Sequence, residues 1–242
     1  MSYSSDLFMF SFTCTPIQCQ ADLEVLAKEL NPVVGFFDPL NLAEGEFWDS
    51  TNEATIGFIR HAEIKHGRVA MFAFVGYIAH ANGFKFPWAM QMDGTPFPTN
   101  TNPPALWDEI SDSAKWQIFA VIAFLEFWSE NSTENHKHYM AGGKPGDFPD
   151  FVAYPDAKGI PHPVPFNFYD PFKLGKNMSE EKKARRLKME INNGRLAMFG
   201  IFGFVSEAAV PGSVPALKGV IQSYDGEVMA PFTTNFVMAP FH

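Results

Sequence analysis

Apolar residues cluster in three long segments of the chain, and each segment is bounded by residues that favour helix ends. The segments cover about residues 52–82, 111–131 and 179–209. Asn52, Ser111 and Ser179 stand where a side chain can cap a helix N-terminus. Polar and charged residues interrupt each segment, so none has the roughly 18–20 consecutive apolar residues of a simple membrane span. The pattern predicts three long helices of mixed character.

The connections between these segments are long and rich in proline, glycine and asparagine. Residues 86–104 and 142–172 are the clearest examples. Loops of this length without regular structure are unusual in compact soluble domains. We expect them to lie on a membrane surface or to cover a ligand.

The first and third segments repeat one another. EIKHGRVAMFAFVGYIAHA, which begins at Glu63, aligns without a gap to EINNGRLAMFGIFGFVSEAA, which begins at Glu190. A similar phrase precedes each copy, GFFDPLNL before the first and FYDPFKLG before the third. The repeat is an internal duplication and not a short tandem array. It predicts two long helices related by an approximate two-fold axis, with the second helix packed beside them.

Each copy of the repeat places a glutamate and an arginine at the edge of its most apolar stretch. The two residues are five apart in both copies, whereas side chains that meet on one helix are three or four apart. Because an unpaired buried charge is costly, we expect Glu63 to pair with Arg195. By the same symmetry Glu190 pairs with Arg68. The alternative is that these charges form solvated surface bridges. Small residues would let the two backbones approach closely, and they are Gly67, Ala70, Gly194 and Ala197.

Side chains that can bind a magnesium ion recur at matched offsets in the two copies. Carboxylate and amide oxygens and imidazole nitrogens can all serve as metal ligands. In each outer helix two such residues lie fourteen apart, which is about 21 Å along the axis. A single histidine on an apolar helix is more often a core residue, but the matched offsets favour ligands. The candidates are Glu63, His66 and His80 in the first helix, Gln117 and Glu126 in the second, and Glu190, Asn193 and Glu207 in the third.

The composition argues against some classes of binding partner. The formal net charge is -9 and no basic tract is present, which argues against nucleic acid as a partner. The aromatic fraction is 15%, and 26 of the 242 residues are phenylalanine. Cys14 and Cys19 can pair or stay free. The N-terminus lacks the basic start and long apolar run of a secretory signal.

The two GR(V/L)AM motifs carry a specific resemblance. EIKHGRVAM and EINNGRLAM, the DPL and DPF phrases before them, and WQIFAVIAFLEFWSE as the middle helix resemble the light-harvesting chlorophyll-protein family. The resemblance spans about residues 35–231. It implies an all-α membrane protein with three transmembrane helices, the first and third forming a crossed pair, and long surface loops. Residues 1–34 would be an N-terminal extension, 35–231 the chlorophyll-binding domain and 232–242 a tail.

The resemblance also implies roles for the candidate residues. Glu63 and Glu190 would each bind a chlorophyll magnesium while paired with an arginine, and His66 and Asn193 would each bind another. Gln117 and Glu126 are similar to the family's middle-helix ligands, and His80 fits a further site. Glu207 stands where many members have glutamine. Grooves beside the helix crossing would suit carotenoids, and they would be lined by Met71, Phe74, Met198 and Phe202.

Other features indicate the branch of the family. The GGKPG loop and the ending SYDGEVMAPF resemble dinoflagellate peridinin-chlorophyll a/c antennae, and fucoxanthin-binding relatives share most of the residues. The resemblance therefore implies chlorophyll a, chlorophyll c and a carotenoid: peridinin, slightly favoured, or fucoxanthin, with a diadinoxanthin-type xanthophyll. It implies the plastid thylakoid membrane, its lipids, neighbouring antenna subunits and a photosystem core, photosystem I before photosystem II.

Two other functions compete with light harvesting. A photoprotective member of the same family would quench excitation energy. Glu63-x-x-His66 also has the Glu-x-x-His spacing of di-iron carboxylate enzymes. The second copy reads Glu190-x-x-Asn193, and an arginine competes for each carboxylate. The sequence therefore favours a pigment carrier without catalytic residues over an enzyme.

Overall fold

The computed structural model describes residues 19–132, 136–149, 178–228 and 230–232. Helices are the regular elements of these ranges. They are α1 (Gln20–Leu30), α2 (Asn52–Ala81), α3 (Pro103–Glu109), α4 (Asp112–Ser129) and α5 (Glu180–Ala209), with short 3-10 helices at Leu42–Glu44, Phe47–Asp49, Tyr139–Ala141 and Pro215–Leu217. The protein is all-α over the described residues.

The three long helices begin and end within two residues of their predicted limits. They are α2, α4 and α5. Over the described ranges, none of the helices combines the length and the apolarity that a membrane-crossing segment is expected to have.

Two shorter helices were missed by the sequence pattern. α1 lies within the predicted N-terminal extension and buries Leu26 and Leu30 on one face. α3 begins at Pro103, at the end of a connection that was expected to lack regular structure. Proline is favoured in the first turn of a helix. In a helix of only seven residues, however, this preference alone does not distinguish the helix from the proline-rich loop before it.

The described chain divides into two compact units. The first contains Met1–Ala62 and Ser132–Pro149. Within it, the Asp38 carboxylate accepts hydrogen bonds from the backbone N–H groups of Leu42 (3.0 Å) and Ala43 (2.8 Å). Asp38 is the aspartate of the DPL phrase, so this phrase forms a local turn that precedes α2. The equivalent DPF phrase lies outside the described residues.

The start of α2 packs closely against the 3-10 helix at Tyr139–Ala141. A Cβ atom at Gly57 would collide with the backbone carbonyl oxygen of Tyr139. The His61 ring stacks on Tyr139 with 3.9 Å between ring centroids, and its Nδ1 accepts a hydrogen bond from the backbone N–H of Gly146 (3.2 Å). His61 is therefore a packing residue of the first unit.

The second unit contains Glu63–Asn131 and Asp150–His242. It holds most of α2 together with α3, α4 and α5. The segment after α5 is fastened to α3, because the Asn102 amide donates to the backbone oxygen of Ser223 (3.0 Å) and the Tyr224 hydroxyl to the Asp108 carboxylate (2.5 Å). The Trp107 indole N–H donates to the backbone oxygen of Pro231 (2.9 Å).

Candidate functional site

Helices α2 and α5 meet at a pair of glycines in the second unit. A Cβ atom at Gly67 would lie 3.0 Å from the Cα of Gly194, and one at Gly194 would lie 2.9 Å from the Cα of Gly67. Real Cβ atoms rarely come so close to backbone, so the two helices touch at a point that only glycine allows. Gly67 and Gly194 are equivalent positions of the repeat. The duplicated sequence therefore forms the crossing of its own two copies.

Two reciprocal ion pairs flank this crossing. The Arg68 Nε donates to Glu190 Oε1 at 2.5 Å, and the Arg195 Nε donates to Glu63 Oε1 at 2.6 Å. All four side chains are partly exposed, between 21% and 42%. Both ion pairs expected from the duplication are thus present. Each carboxylate is neutralised by an arginine of the opposite helix.

Ligand-type side chains stand beside each glycine of the crossing. His66 and Asn193, each one residue before a crossing glycine, are exposed. His80 is exposed in the last turn of α2. These side chains project from helices whose neighbouring apolar residues are also exposed, so a large flat ligand can reach them.

The two candidates on α4 differ in their surroundings. Gln117 donates a hydrogen bond to the backbone oxygen of Ser113 (3.2 Å) and is exposed. Glu126 forms an ion pair with Lys65 of α2 at 2.5 Å, and Lys65 also lies 3.4 Å from the Ser129 hydroxyl. The structure thus pairs a third carboxylate with a cation on another helix. Sequence reasoning missed Lys65, because it had no information on which face of α4 meets α2.

Glu207 has partners that distinguish it from the other candidates. It is 3% exposed, and its two carboxylate oxygens accept hydrogen bonds from the backbone N–H groups of Gly212 and Val214, both at 2.8 Å. Glu207 therefore holds the turn that follows α5. No pattern in the sequence indicated this contact, since the donors are main-chain groups.

Two histidines outside the long helices are held by nearby groups. The His136 Nδ1 lies 3.3 Å from the Asp147 carboxylate. The His138 Nδ1 accepts from the backbone N–H of Met140 at 3.3 Å and caps a 3-10 helix. These contacts give both residues a role in the fold of the first unit.

A groove of about 710 Å³ runs beside the crossing of α2 and α5. The Phe74 and Phe204 rings stack within its wall, with centroids 5.0 Å apart. Val214 and Leu217, from the turn after α5, close part of it. Met71 and Phe74 line it as expected, whereas Met198 and Phe202 are not among its lining residues. The full lining is Met71, Phe74, Val75, Asn193, Leu196, Ala197, Phe199, Gly200, Gly203, Phe204, Val214 and Leu217.

Large apolar side chains cover the outer surfaces of the three long helices. Phe72 on α2 is 81% exposed, Phe127 on α4 is 68% exposed and Phe199 on α5 is 79% exposed. Patches of this kind mark contact with apolar ligands, lipid or protein partners. They adjoin the ligand-type residues, and this combination suits pigments that offer a metal ion inside a broad apolar ring.

Comparison with known proteins identifies the family. A family model described as chlorophyll a-b binding protein matches residues 23–209. The chain belongs to this family.

The chain is similar to fucoxanthin-chlorophyll a-c binding proteins of several organisms. Fucoxanthin-chlorophyll a-c binding protein F of Phaeodactylum tricornutum is 32% identical over 72% of this chain and 74% of its own length. The fucoxanthin-chlorophyll a-c binding protein of Trieres chinensis is 30% identical over 76% of this chain and 78% of its own length. Protein B of Macrocystis pyrifera, of the same description, is 30% identical over 79% of this chain and 74% of its own length. All three are named as chloroplastic.

The crossing of α2 and α5 lies within the range that matches the chlorophyll a-b binding family. This range begins in α1 and ends at the last residue of α5, so it contains the duplicated helices, both ion pairs and every candidate ligand. Its first twelve residues, 23–34, lie within the segment that was expected to be an N-terminal extension. Among the described residues, no group of three or more His, Cys, Asp or Glu side chains is arranged to hold a metal ion.

Proposed function

We propose that this chain is a light-harvesting antenna apoprotein that holds chlorophyll a, chlorophyll c and carotenoid in the plastid thylakoid membrane. One observation carries the proposal: the duplicated helices of a chlorophyll a-b binding family member cross at two glycines and are joined by two reciprocal Glu–Arg pairs. Ligand-type side chains stand at the edges of this rigid crossing.

The paired carboxylates are suited to bind neutral pigments. A free carboxylate would bring a net negative charge into an apolar setting, at a high cost in desolvation. Arg68 and Arg195 offset the charges of Glu190 and Glu63, and Lys65 offsets that of Glu126. We assign these three carboxylates, together with His66, His80, Gln117, Asn193 and Glu207, as candidate ligands of chlorophyll magnesium.

Bound chlorophyll supplies light absorption and passes excitation energy to neighbouring pigments. The protein's part is to fix positions, and ligands on helices do this better than ligands on loops. The crossing adds rigidity because its contacts are backbone to backbone. The proposed function therefore requires no catalytic residue, in contrast to the di-iron alternative, whose two carboxylates would have to leave their arginines.

The groove beside the crossing is the proposed carotenoid site. Its lining is aromatic and aliphatic apart from Asn193, which suits a long polyene. We propose fucoxanthin before peridinin as its occupant, because the similar proteins carry fucoxanthin in their names.

The three long helices are proposed to cross the membrane. At about 1.5 Å per residue, α4 with its 18 residues is about 27 Å long, close to the roughly 30 Å hydrocarbon thickness. α2 and α5, with 30 residues each, are longer than the core. At the crossing, Arg68 pairs with Glu190 and Arg195 with Glu63. Phenylalanines such as Phe72 and Phe199 are exposed on the outer surfaces of the same helices. Pairing of charges inside the bundle is the usual arrangement in membrane helices.

The proposed partners are neighbouring antenna subunits and a photosystem core, with photosystem I placed before photosystem II. Fractionation of solubilised thylakoid membranes tests this order. The protein is expected to migrate with photosystem I, and recovery with photosystem II alone would reverse the assignment.

Purification followed by pigment extraction and chromatography tests the proposed function. We expect chlorophyll a, chlorophyll c and fucoxanthin in fixed ratio to the protein. Stoichiometric iron without chlorophyll bands would contradict the proposal and support the di-iron alternative. A short fluorescence lifetime at every pH would instead favour the photoprotective alternative.

A further inference from the structure

The turn after α5 is built on one buried carboxylate. α5 ends at Ala209, and Gly212 reverses the chain with a positive φ of 90°, a conformation that favours glycine. Glu207 reaches past the helix end and accepts from the N–H groups on both sides of Ser213, those of Gly212 and Val214. One buried carboxylate therefore accepts from two main-chain donors of the turn at once, and hydrogen bonds to a charged acceptor are stronger than neutral ones.

The same turn carries part of the groove wall. Val214 precedes the 3-10 helix at Pro215–Leu217, and Val214 and Leu217 both line the groove. Leu217 lies over Gly203 of α5, since a Cβ atom at Gly203 would be 3.7 Å from its Cδ1. The backbone N–H of Leu217 donates to the Val214 oxygen (2.9 Å). The two lining residues therefore belong to one hydrogen-bonded turn. Glu207 is the side chain that fixes this turn to α5.

We infer that Glu207 is a positioning residue for the carotenoid groove: its two hydrogen bonds hold Val214 and Leu217 in the groove wall. The inference rests on the proposed function, because it takes the carotenoid to occupy this groove. It gives Glu207 a task separate from magnesium binding. That task depends on two acceptor oxygens, whereas a magnesium ligand needs one.

Glu207→Gln separates the two tasks. Glutamine keeps one amide oxygen that can bind magnesium, but it turns an NH2 group towards a main-chain N–H. Two donors then face each other in a buried place, and one backbone N–H is left without an acceptor. Loss of a hydrogen bond to a charged group weakens such an arrangement by about tenfold or more. We expect the groove carotenoid to be retained about tenfold less tightly.

The experiment refolds the full chain with chlorophyll a, chlorophyll c and limiting fucoxanthin, and then measures pigment ratios by chromatography. Glu207→Gln is expected to lower the ratio of fucoxanthin to chlorophyll, and the number of chlorophylls per protein is measured on the same samples. Glu181→Gln removes the same charge from an exposed position in the first turn of α5, and it should leave both values unchanged. A role of Glu207 in general stability would lower all pigments together.

A second variant tests the groove wall without touching Glu207. Leu217→Ala should lower the fucoxanthin ratio in the same way, with chlorophyll unchanged. Wild-type pigment ratios in Glu207→Gln, or loss of one chlorophyll with full retention of fucoxanthin, would overturn the inference. Full retention of fucoxanthin by Leu217→Ala would also overturn it. If the wild-type chain itself takes up no pigment, the proposed function fails and the inference falls with it.

Discussion

Neighbouring asparagines in α5 allow a ligand to be tested against an almost identical control. Asn192 and Asn193 are both exposed, but successive residues of a helix point about 100° apart. Asn193 stands in the groove lining beside the crossing glycine. We predict that Asn193→Ala removes about one chlorophyll per protein. The alanine side chain has no oxygen atom that could bind magnesium in place of the asparagine amide.

The matched change Asn192→Ala should leave the chlorophyll number as it is. Chromatography of the purified, refolded variants gives both values. Equal chlorophyll content in the two variants would show that Asn193 binds no magnesium. His66→Ala, at the equivalent position of α2, is expected to behave like Asn193→Ala.

Arg195 is predicted to matter through the charge that it neutralises. Arg195→Leu leaves Glu63, which is only 21% exposed, without its cation. Breaking a buried pair costs about 3–5 kcal/mol, whereas an exposed pair contributes about 0.2–1 kcal/mol. Because this pair is partly exposed, the expected loss lies between these values, at about 1–3 kcal/mol. Thermal unfolding followed by circular dichroism measures it.

The control for this change lies on the same helix. Arg186 is exposed, and Arg186→Leu should alter the free energy of unfolding by less than about 0.5 kcal/mol. The double variant Arg195→Leu with Glu63→Gln should recover part of the loss, since no charge remains unpaired. Equal stability of Arg195→Leu and Arg186→Leu would mean that the ion pair contributes nothing.

The residues differ in how far the sequence could assign them. The Glu–Arg pairs followed from a spacing that does not suit one helix, together with a second copy that supplies the partners. Lys65 could not be found in this way, because its partner Glu126 stands on a helix outside the repeat. The contacts of Glu207 are to main-chain N–H groups, and sequence patterns carry no record of such donors.

At the scale of the element, the crossing of α2 and α5 depends on the absence of side chains. A Cβ atom at Gly194 would lie 2.9 Å from the backbone of Gly67, whereas one at Gly76 meets nothing within 4 Å. Gly194→Ala should therefore destabilise the protein by about 1–3 kcal/mol through overpacking. Gly76→Ala should stabilise it by about 0.5–1 kcal/mol, because alanine favours the helix. Chemical unfolding of the two variants compares them directly, and the same sign for both would contradict the close contact.

The contact between α3 and the segment after α5 is predicted to depend on pH. Burial, together with the hydrogen bond to the Asp108 carboxylate, raises the pKa of Tyr224 to about 12. A pKa raised on folding means that the protonated hydroxyl is favoured in the folded state. The stabilisation is then complete below pH 10 and is lost as the pH rises towards 12.

Tyrosinate absorbance and amide hydrogen exchange across this range measure the effect. Exchange of the backbone amides of residues 221–228 should rise between pH 10 and 12 beyond the increase caused by base alone. Tyr224→Phe should remove this extra increase, because no hydroxyl remains to titrate. An identical profile in Tyr224→Phe would exclude the hydrogen bond as its source.

The helices that could be predicted from the sequence are the long ones, α2, α4 and α5. The limits of α2, α4 and α5 followed from the extent of the apolar segments. The expected side-chain caps are absent, because Ser111 and Ser179 occupy the N-cap positions without a side-chain hydrogen bond and Asn52 is already the first residue of α2. α1 and α3 are short, and only a few buried residues such as Leu26 and Leu106 hold them. Tertiary contacts stabilise such helices more than their own sequence does, so their existence depends on partners that a linear pattern does not reveal.

The molecule as a whole is predicted to gain stability from its pigments. Large apolar side chains are exposed on α2, α4 and α5, and a groove of about 710 Å³ adjoins the helix crossing. A ligand that binds only the folded state raises stability with its concentration, by about 2.7 kcal/mol at a hundredfold excess over the dissociation constant. We expect the unfolding temperature in detergent to rise as chlorophyll and carotenoid are added.

The control for this effect is a pigment that lacks the central metal. Magnesium-free chlorophyll should stabilise the protein less than chlorophyll does, because the candidate ligands then have no ion to bind. An equal increase with both pigments would show that apolar contact alone accounts for the stabilisation.

The contact between Gly67 and Gly194 also bears on how a duplicated protein can change. Each glycine leaves no room for a side chain on the other, and each Glu–Arg pair joins one copy of the repeat to the other. A substitution at one of these positions therefore affects both copies. His66 and Asn193 point away from the contact, and there the copies have diverged from imidazole to amide. The scaffold is symmetric while the two outward positions are chemically distinct. A pigment bound at each position would therefore meet a different ligand atom, a ring nitrogen in one copy and an amide oxygen in the other.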